Sequence, residues 1–217
     1  MRKKDRVIYI SSFLNKLYPN PKIPLDHVNT FTFLVAVVLS AQSTDKKVNE
    51  LTKALFKVAN KPLDMCNIGE NAIYQHIKQL GLARTKAKHI FNLSRILIDK
   101  YEGIIPTNFK DLESLPGVGH KTASVLMAQA FGVPTFPVDT HIHRLAQRWG
   151  LSNGKNVLQT EMDLKLLFPI DIWNKLHLQI IYYGREYCSA KGCDGRICHL
   201  CATLYPSRTK PFVHKLP

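Results

Sequence analysis

The sequence predicts an all-α protein. Three observations carry that expectation. Almost every segment repeats its apolar residues at helical spacing, and Gly or Pro marks the breaks. Hydrophobic residues make up 45% and charged residues 21% of the 217, which fits a globular chain large enough to build a core without disulfides. The one valine-rich run that allows a strand, "FTFLVAVVLSA" (31–41), has no candidate partner strand nearby.

Taken in order, a first helix fits about 5–18 and stops before "PNPKIP". The run 31–41 reads as a buried core helix, far short of the ~20 apolar residues that span a bilayer. "STD" (43–45) can cap a third helix through "KKVNELTKALFKVA". Further helices fit about 69–80 and 85–101, and a short one near 107–114 leads into "LPGVGHKTA". Helices near 121–131, 139–149, 157–168 and 171–186 follow. From 188 the character changes: four of the five cysteines cluster there, and "YPSRTKPFVHKLP" looks extended. No internal repeat, low-complexity tract or glycine-serine linker interrupts the chain.

Thirty Lys+Arg against 16 Asp+Glu give a net charge of +14. Such a balance suggests a polyanion, nucleic acid or an anionic membrane face, with a merely basic globular protein as the plainer alternative. The basic start has too short an apolar run for a signal peptide. The expectation is an intracellular, cytoplasmic protein whose cysteines stay reduced.

"LPGVGHKTA" sets the chemical question. Pro116-Gly117 suits the centre of a type II turn, because glycine accepts positive φ there. Gly119 keeps the next turn free of side chains. A bare backbone followed by a helix N-terminus can cradle a phosphate, although a plain connection between helices explains the same residues. Ala123, Leu126, Met127, Ala130 and Phe131 form one apolar stripe, ended by Gly132 and Pro134. Lys121 lies in the first turn, where the helix dipole disfavours a cation. It is either a solvated lysine near a phosphate or a nucleophile whose free amine the dipole favours. Further on, "FPVDTHIHRLAQRWG" puts Asp139 at a helix start, where an N-cap is the simple reading. A carboxylate fixed there can also oppose a developing cationic sugar carbon.

"LPGVGHKTASVLMAQAFGVPTFPVDTHIHR" resembles the helix-hairpin-helix and Gly/Pro-Asp loop of the DNA glycosylase superfamily, and the endonuclease III family in particular. "VLSAQSTD" (38–45), "GLARTKA" (81–87) and "YYGREYC" (182–188) extend the likeness over about residues 30–201. The resemblance implies a bifunctional DNA glycosylase and AP lyase for oxidised pyrimidines. Lys121 matches the family's nucleophilic lysine and Asp139 its supporting aspartate. Gln42 matches the residue that fills the gap left by a flipped nucleotide, and Leu82 an apolar wedge. Gly117, Val118 and Gly119 match the hairpin backbone that holds phosphate, with His141 in a supporting role. The implied partner is double-stranded DNA carrying a damaged pyrimidine or abasic site, met by a monomer with no membrane. The implied architecture is two helical lobes flanking a DNA-binding cleft. A six-helix barrel lobe would cover 23–134, and 1–22 would join 135–217 in a lobe that carries the metal. The alternatives are a non-catalytic helix-hairpin-helix module and a sister glycosylase without lyase activity.

Cys188, Cys193, Cys198 and Cys201 fall within 14 residues. Four thiolates can hold Zn²⁺ or an iron–sulfur cluster, while unrelated buried thiols are the plain reading. The family resemblance implies [4Fe–4S]. Its usual C-x6-C-x2-C-x5-C spacing is here C-x4-C-x4-C-x2-C, which keeps zinc as the alternative. His199 is a further weak donor. Lys191 and Arg196 lie in the cysteine loops, where the family sets basic residues against DNA phosphates.

Overall fold

A computed structural model describes residues 1–216, and the described residues form helices and turns with no strand. In chain order the α-helices are α1 (Lys3–Leu17), α2 (Thr30–Ser40), α3 (Asp45–Val58), α4 (Pro62–Ile77), α5 (Ala83–Tyr101) and α6 (Phe109–Glu113). They continue with α7 (His120–Ala130), α8 (Thr140–Arg148), α9 (Val157–Leu167), α10 (Trp173–Glu186) and α11 (His199–Leu204). A single 3-10 turn, Ile170–Ile172, leads into α10. No described helix is long and apolar enough to cross a membrane. The chain divides into two units: Ile23–Val133, and Met1–Lys22 together with the residues from Pro134 onward.

Within Ile23–Val133, α2 is the central element. Asn29 starts it with a reciprocal cap: its side chain accepts from Thr32 N at 2.9 Å, and Thr32 Oγ1 accepts from Asn29 N at 3.0 Å. Nine consecutive residues, Phe31 to Leu39, are buried. A helix apolar on every side must be surrounded, and α2 packs against α3, α5 and α7. Thr44 caps α3 by accepting from Lys47 N at 3.3 Å.

Two elements differ from the sequence expectation. The helix expected at 69–80 is the second half of α4, which begins at Pro62 and breaks at Gly69 (φ 78, ψ 163). That backbone suits only glycine, so the ladder stops and restarts there. Pro62 at the first helical position was the visible start signal for the missed half. The tail also holds a helix, α11, which starts after Cys198, carries Cys201 and ends before Tyr205. Beyond it the chain is extended and tied back: Phe212 N donates to Asp194 O at 2.8 Å, and Lys215 N to Gln147 Oε1 at 2.8 Å.

In the other unit, α1 packs on α10, with Ile10 and Leu14 fully buried. Gln179 Nε2 donates to Leu14 O at 3.3 Å and Tyr18 O at 2.8 Å, satisfying carbonyls at the end of α1. Helices α8 and α10 approach closely at Gly184, where a Cβ would sit 3.2 Å from His141 Cβ.

Candidate functional site

The hairpin turn forms as its residues dictate. Val118 N donates to Leu115 O at 3.1 Å across Pro116-Gly117, and Gly117 has φ +80. This is the type II geometry. Val118 is buried and anchors the turn, while Gly117 and Gly119 stay exposed. A Cβ on Gly117 would lie 2.9 Å from His89 Nδ1, so α5 backs the turn tightly. Gly119 is the N-cap of α7 and offers no side chain, which leaves the first amides of the helix outward-facing. Lys121 is the second residue of α7 and is exposed. His120 beside it pairs with Glu113 of α6 at 2.8 Å.

Gln42 and Leu82 share an uncommon backbone state. Both are left-handed, with φ 53 and 56. Leu82 is 59% exposed, a large apolar side chain held in water at the start of α5. The Gln42 and Gly81 turns adjoin, since a Cβ on Gly81 would sit 3.8 Å from Gln42 O.

In the other unit, Asp139 caps α8, with Oδ1 accepting from Ile142 N at 2.8 Å. Its carboxylate is half-buried. His141 lies two residues on, its Nδ1 3.2 Å from Arg144 Nη2. Burial pushes the His141 imidazole down, opposed by Asp139. The ring therefore stays neutral at pH 7.

The four cysteines of the tail converge despite their spacing. Cys188, Cys193, Cys198 and Cys201 are all buried, none forms a disulfide, and their sulfurs lie within 4.8 Å of one another. Cys188 and Cys201 sulfurs are 3.8 Å apart. Hydrogen bonds among the thiols push Cys198 down and Cys188 and Cys201 up. Gly195 N donates to Cys193 Sγ at 3.4 Å, and Arg148 Nη1 to Cys188 Sγ at 3.2 Å. A buried four-sulfur set with N–H donors aimed at it fits a [4Fe–4S] cluster.

Sequence reasoning missed the arginines behind this loop. Arg148, 1% exposed, donates to Cys188 O at 3.2 Å and Ser189 O at 2.9 Å. Arg144 donates to Cys188 O and Gly184 O, each at 3.0 Å. Their i, i+4 spacing beside the apolar stripe of α8 was the only signal, and it equally describes a solvated face. Lys191 is exposed on the loop. Arg196 is engaged within it, bonded to Asp194 and donating to Thr209 O at 2.7 Å. His199 turns to Tyr9 at 2.8 Å and stacks on Phe13.

The pattern that defines HhH-GPD superfamily base excision DNA repair proteins matches residues 35–169. Endonuclease III of Treponema pallidum is 46% identical over 178 residues, 82% of this chain and 84% of that protein. Endonuclease III of Bacillus subtilis is 41% identical, covering 82% of each. This chain belongs to the endonuclease III family. A solved non-covalent endonuclease III–DNA complex superposes with a TM-score of 0.87 at 39% identity, over 92% of this chain and 94% of that one. A trapped endonuclease III–DNA covalent intermediate gives 0.86 at 39% identity, with the same coverage. A thermostable thymine-DNA glycosylase, 23% identical with a TM-score of 0.77, shares the fold. Endonuclease III membership makes this chain a base-excision DNA glycosylase with AP lyase activity.

Proposed function

We propose that this endonuclease III removes oxidised pyrimidines from duplex DNA with Lys121 as nucleophile and Asp139 as the supporting carboxylate, acting in the cytoplasm on the nucleoid. The observation that carries this reading is the exposed Lys121 amine in the first turn of α7, directly after the bare hairpin backbone. A hairpin that grips a phosphate through its amides sets such an amine beside the adjoining sugar. One matched structure is a trapped covalent endonuclease III–DNA intermediate, and a covalent adduct requires a nucleophile on the protein.

The chemistry runs on the chain's own residues. The damaged nucleotide leaves the stack, with Gln42 filling the gap and Leu82 wedging the opposite strand. The unprotonated Lys121 amine attacks C1′, the glycosidic C1′–N bond breaks, and the base leaves with a proton. Asp139 opposes the positive charge that builds on the sugar, and His141 supports its segment. The C1′–O4′ bond then opens, O4′ takes a proton, and an iminium links Lys121 to the sugar. The iminium acidifies C2′–H; loss of that proton expels the 3′ phosphate by β-elimination. Water hydrolyses the imine and frees the lysine. Held by Cys188, Cys193, Cys198 and Cys201, the cluster supplies structural pinning of a segment too short to own a core. Lys191 offers its ammonium to a phosphate, while Arg196 braces the loop and turns its remaining donors to the backbone.

Borohydride trapping on DNA with an oxidised pyrimidine or abasic site tests the assignment. Wild type forms a covalent adduct and Lys121→Ala does not; robust trapping in that variant refutes the nucleophile. Asp139→Asn keeps a competent N-cap, so the fold and DNA affinity persist while base release falls by about 10²-fold or more. Unchanged turnover leaves Asp139 as a cap alone.

A further inference from the structure

Lys86 is charged and almost wholly buried, 4% exposed in the first turn of α5. Its ammonium donates to Leu39 O at 3.0 Å, Ala41 O at 2.6 Å and Ser43 Oγ at 3.0 Å. Those three bonds use all three of its protons. Two of the acceptors flank Gln42. The amide of the same lysine donates to Leu82 O at 2.9 Å. One residue therefore grips the turn around Gln42 with its side chain and the turn at Leu82 with its backbone.

Three non-glycine residues among the described ones have positive φ, and Gln42 and Leu82 are two of them. Such conformations cost energy and persist only where the surroundings over-determine them. The Lys86 ammonium supplies that constraint for the first, and it sits four residues along the helix that starts from the second. Burial pushes its amine below the ordinary lysine value.

We propose that Lys86 is a positioning residue for duplex opening: it locks the Gln42 and Leu82 turns in the conformations from which both side chains enter DNA at a lesion. The proposal rests on the roles assigned to Gln42 and Leu82 above. Without the ammonium Gln42, whose carbonyl adjoins the turn of Gly81 and Leu82, would have to reach its left-handed state during binding, and the affinity for lesion DNA would fall by the fraction of time it spends elsewhere. Affinity for undamaged duplex, which depends on phosphate contacts, would not.

The test uses full-length holoenzyme and a duplex with a tetrahydrofuran abasic analogue opposite 2-aminopurine, whose fluorescence rises when the opposing base is unstacked. Lys86→Met is expected to lose at least about tenfold of the ratio between lesion and undamaged affinity, with most of the fluorescence rise, while undamaged binding stays within twofold. Lys86→Arg, which keeps a donor cation, recovers part of both signals. Gln42→Gly, free to adopt positive φ, makes the added Lys86→Met change nearly silent in the gap-filling signal. A simple loss of folding would lower both affinities together and would overturn the proposal. So would an unchanged ratio in Lys86→Met alongside impaired Gln42→Ala and Leu82→Ala; that result leaves the parent assignment standing. Unchanged ratios in Gln42→Ala and Leu82→Ala overturn the parent assignment and this proposal with it.

Discussion

Replacing Gly117 by alanine probes how the hairpin backbone is held. Gly117 sits at φ +80, and an added Cβ would lie 2.9 Å from His89 Nδ1, 3.1 Å from His89 Cβ and 3.2 Å from Cγ. The left-handed backbone costs an L-residue about 1–2 kcal/mol. Pushing a packed ring aside adds about 1–3 kcal/mol. Together they give about 3 kcal/mol, or a fall of ~6–12 °C in Tm for a chain of this size. Gly119 is the internal control. Its φ is −92, and a Cβ there meets no heavy atom within 4 Å. Gly119→Ala should change stability by less than about 1 kcal/mol, yet weaken DNA binding, because its methyl group covers amides that face outward. Urea unfolding paired with DNA titration at fixed salt reads both quantities. In a His89→Ala background the ring contacts are gone and only the 3.1 Å approach to Cβ remains, so the cost of Gly117→Ala should fall toward the ~1–2 kcal/mol of the backbone alone. An unchanged midpoint in Gly117→Ala, or a larger stability loss in Gly119→Ala, refutes the reasoning.

Two other outcomes follow from buried groups. Arg148→Met removes donors to Cys188 Sγ, Cys188 O and Ser189 O, so iron should leave to a chelator several-fold faster while helical content stays intact; an unchanged loss rate speaks against the brace. Burial pushes the His141, His143 and His214 imidazoles below their usual 6.5. The unfolded chain therefore binds protons first as pH falls, and stability should drop between pH 7 and pH 5. Thermal melting across that range, flattened in His143→Gln, measures it; a flat wild-type profile contradicts it.

The helices and their caps were largely legible because the signals are local. Asn and Asp before an apolar stripe, Pro-Gly before a helix and four cysteines in a short segment all act within a turn or two of themselves. The spacing of the cysteines obscured their meaning, since convergence depends on how α11 and the intervening loops bend rather than on counts. The first half of α4 was lost because Gly69 breaks the period, although Pro62 marked its start. Lys86 and the arginines of α8 were illegible for another reason. Their burial depends on carbonyls about forty residues away in sequence, and a local window reads any Lys or Arg as solvated.

The unit that binds the cysteine cluster is assembled from both flanks of the unit between them, Ile23–Val133, which is continuous. During synthesis the middle can complete its core while α1 still lacks α10 to cover Ile10 and Leu14. At ~5–20 residues per second, that helix waits on the order of ten seconds for its neighbour. Metal loading is later still, because Cys201 leaves the ribosome after α10. Birth order thus separates a continuous half that can mature early from a divided half that must wait for its later helices and cysteines.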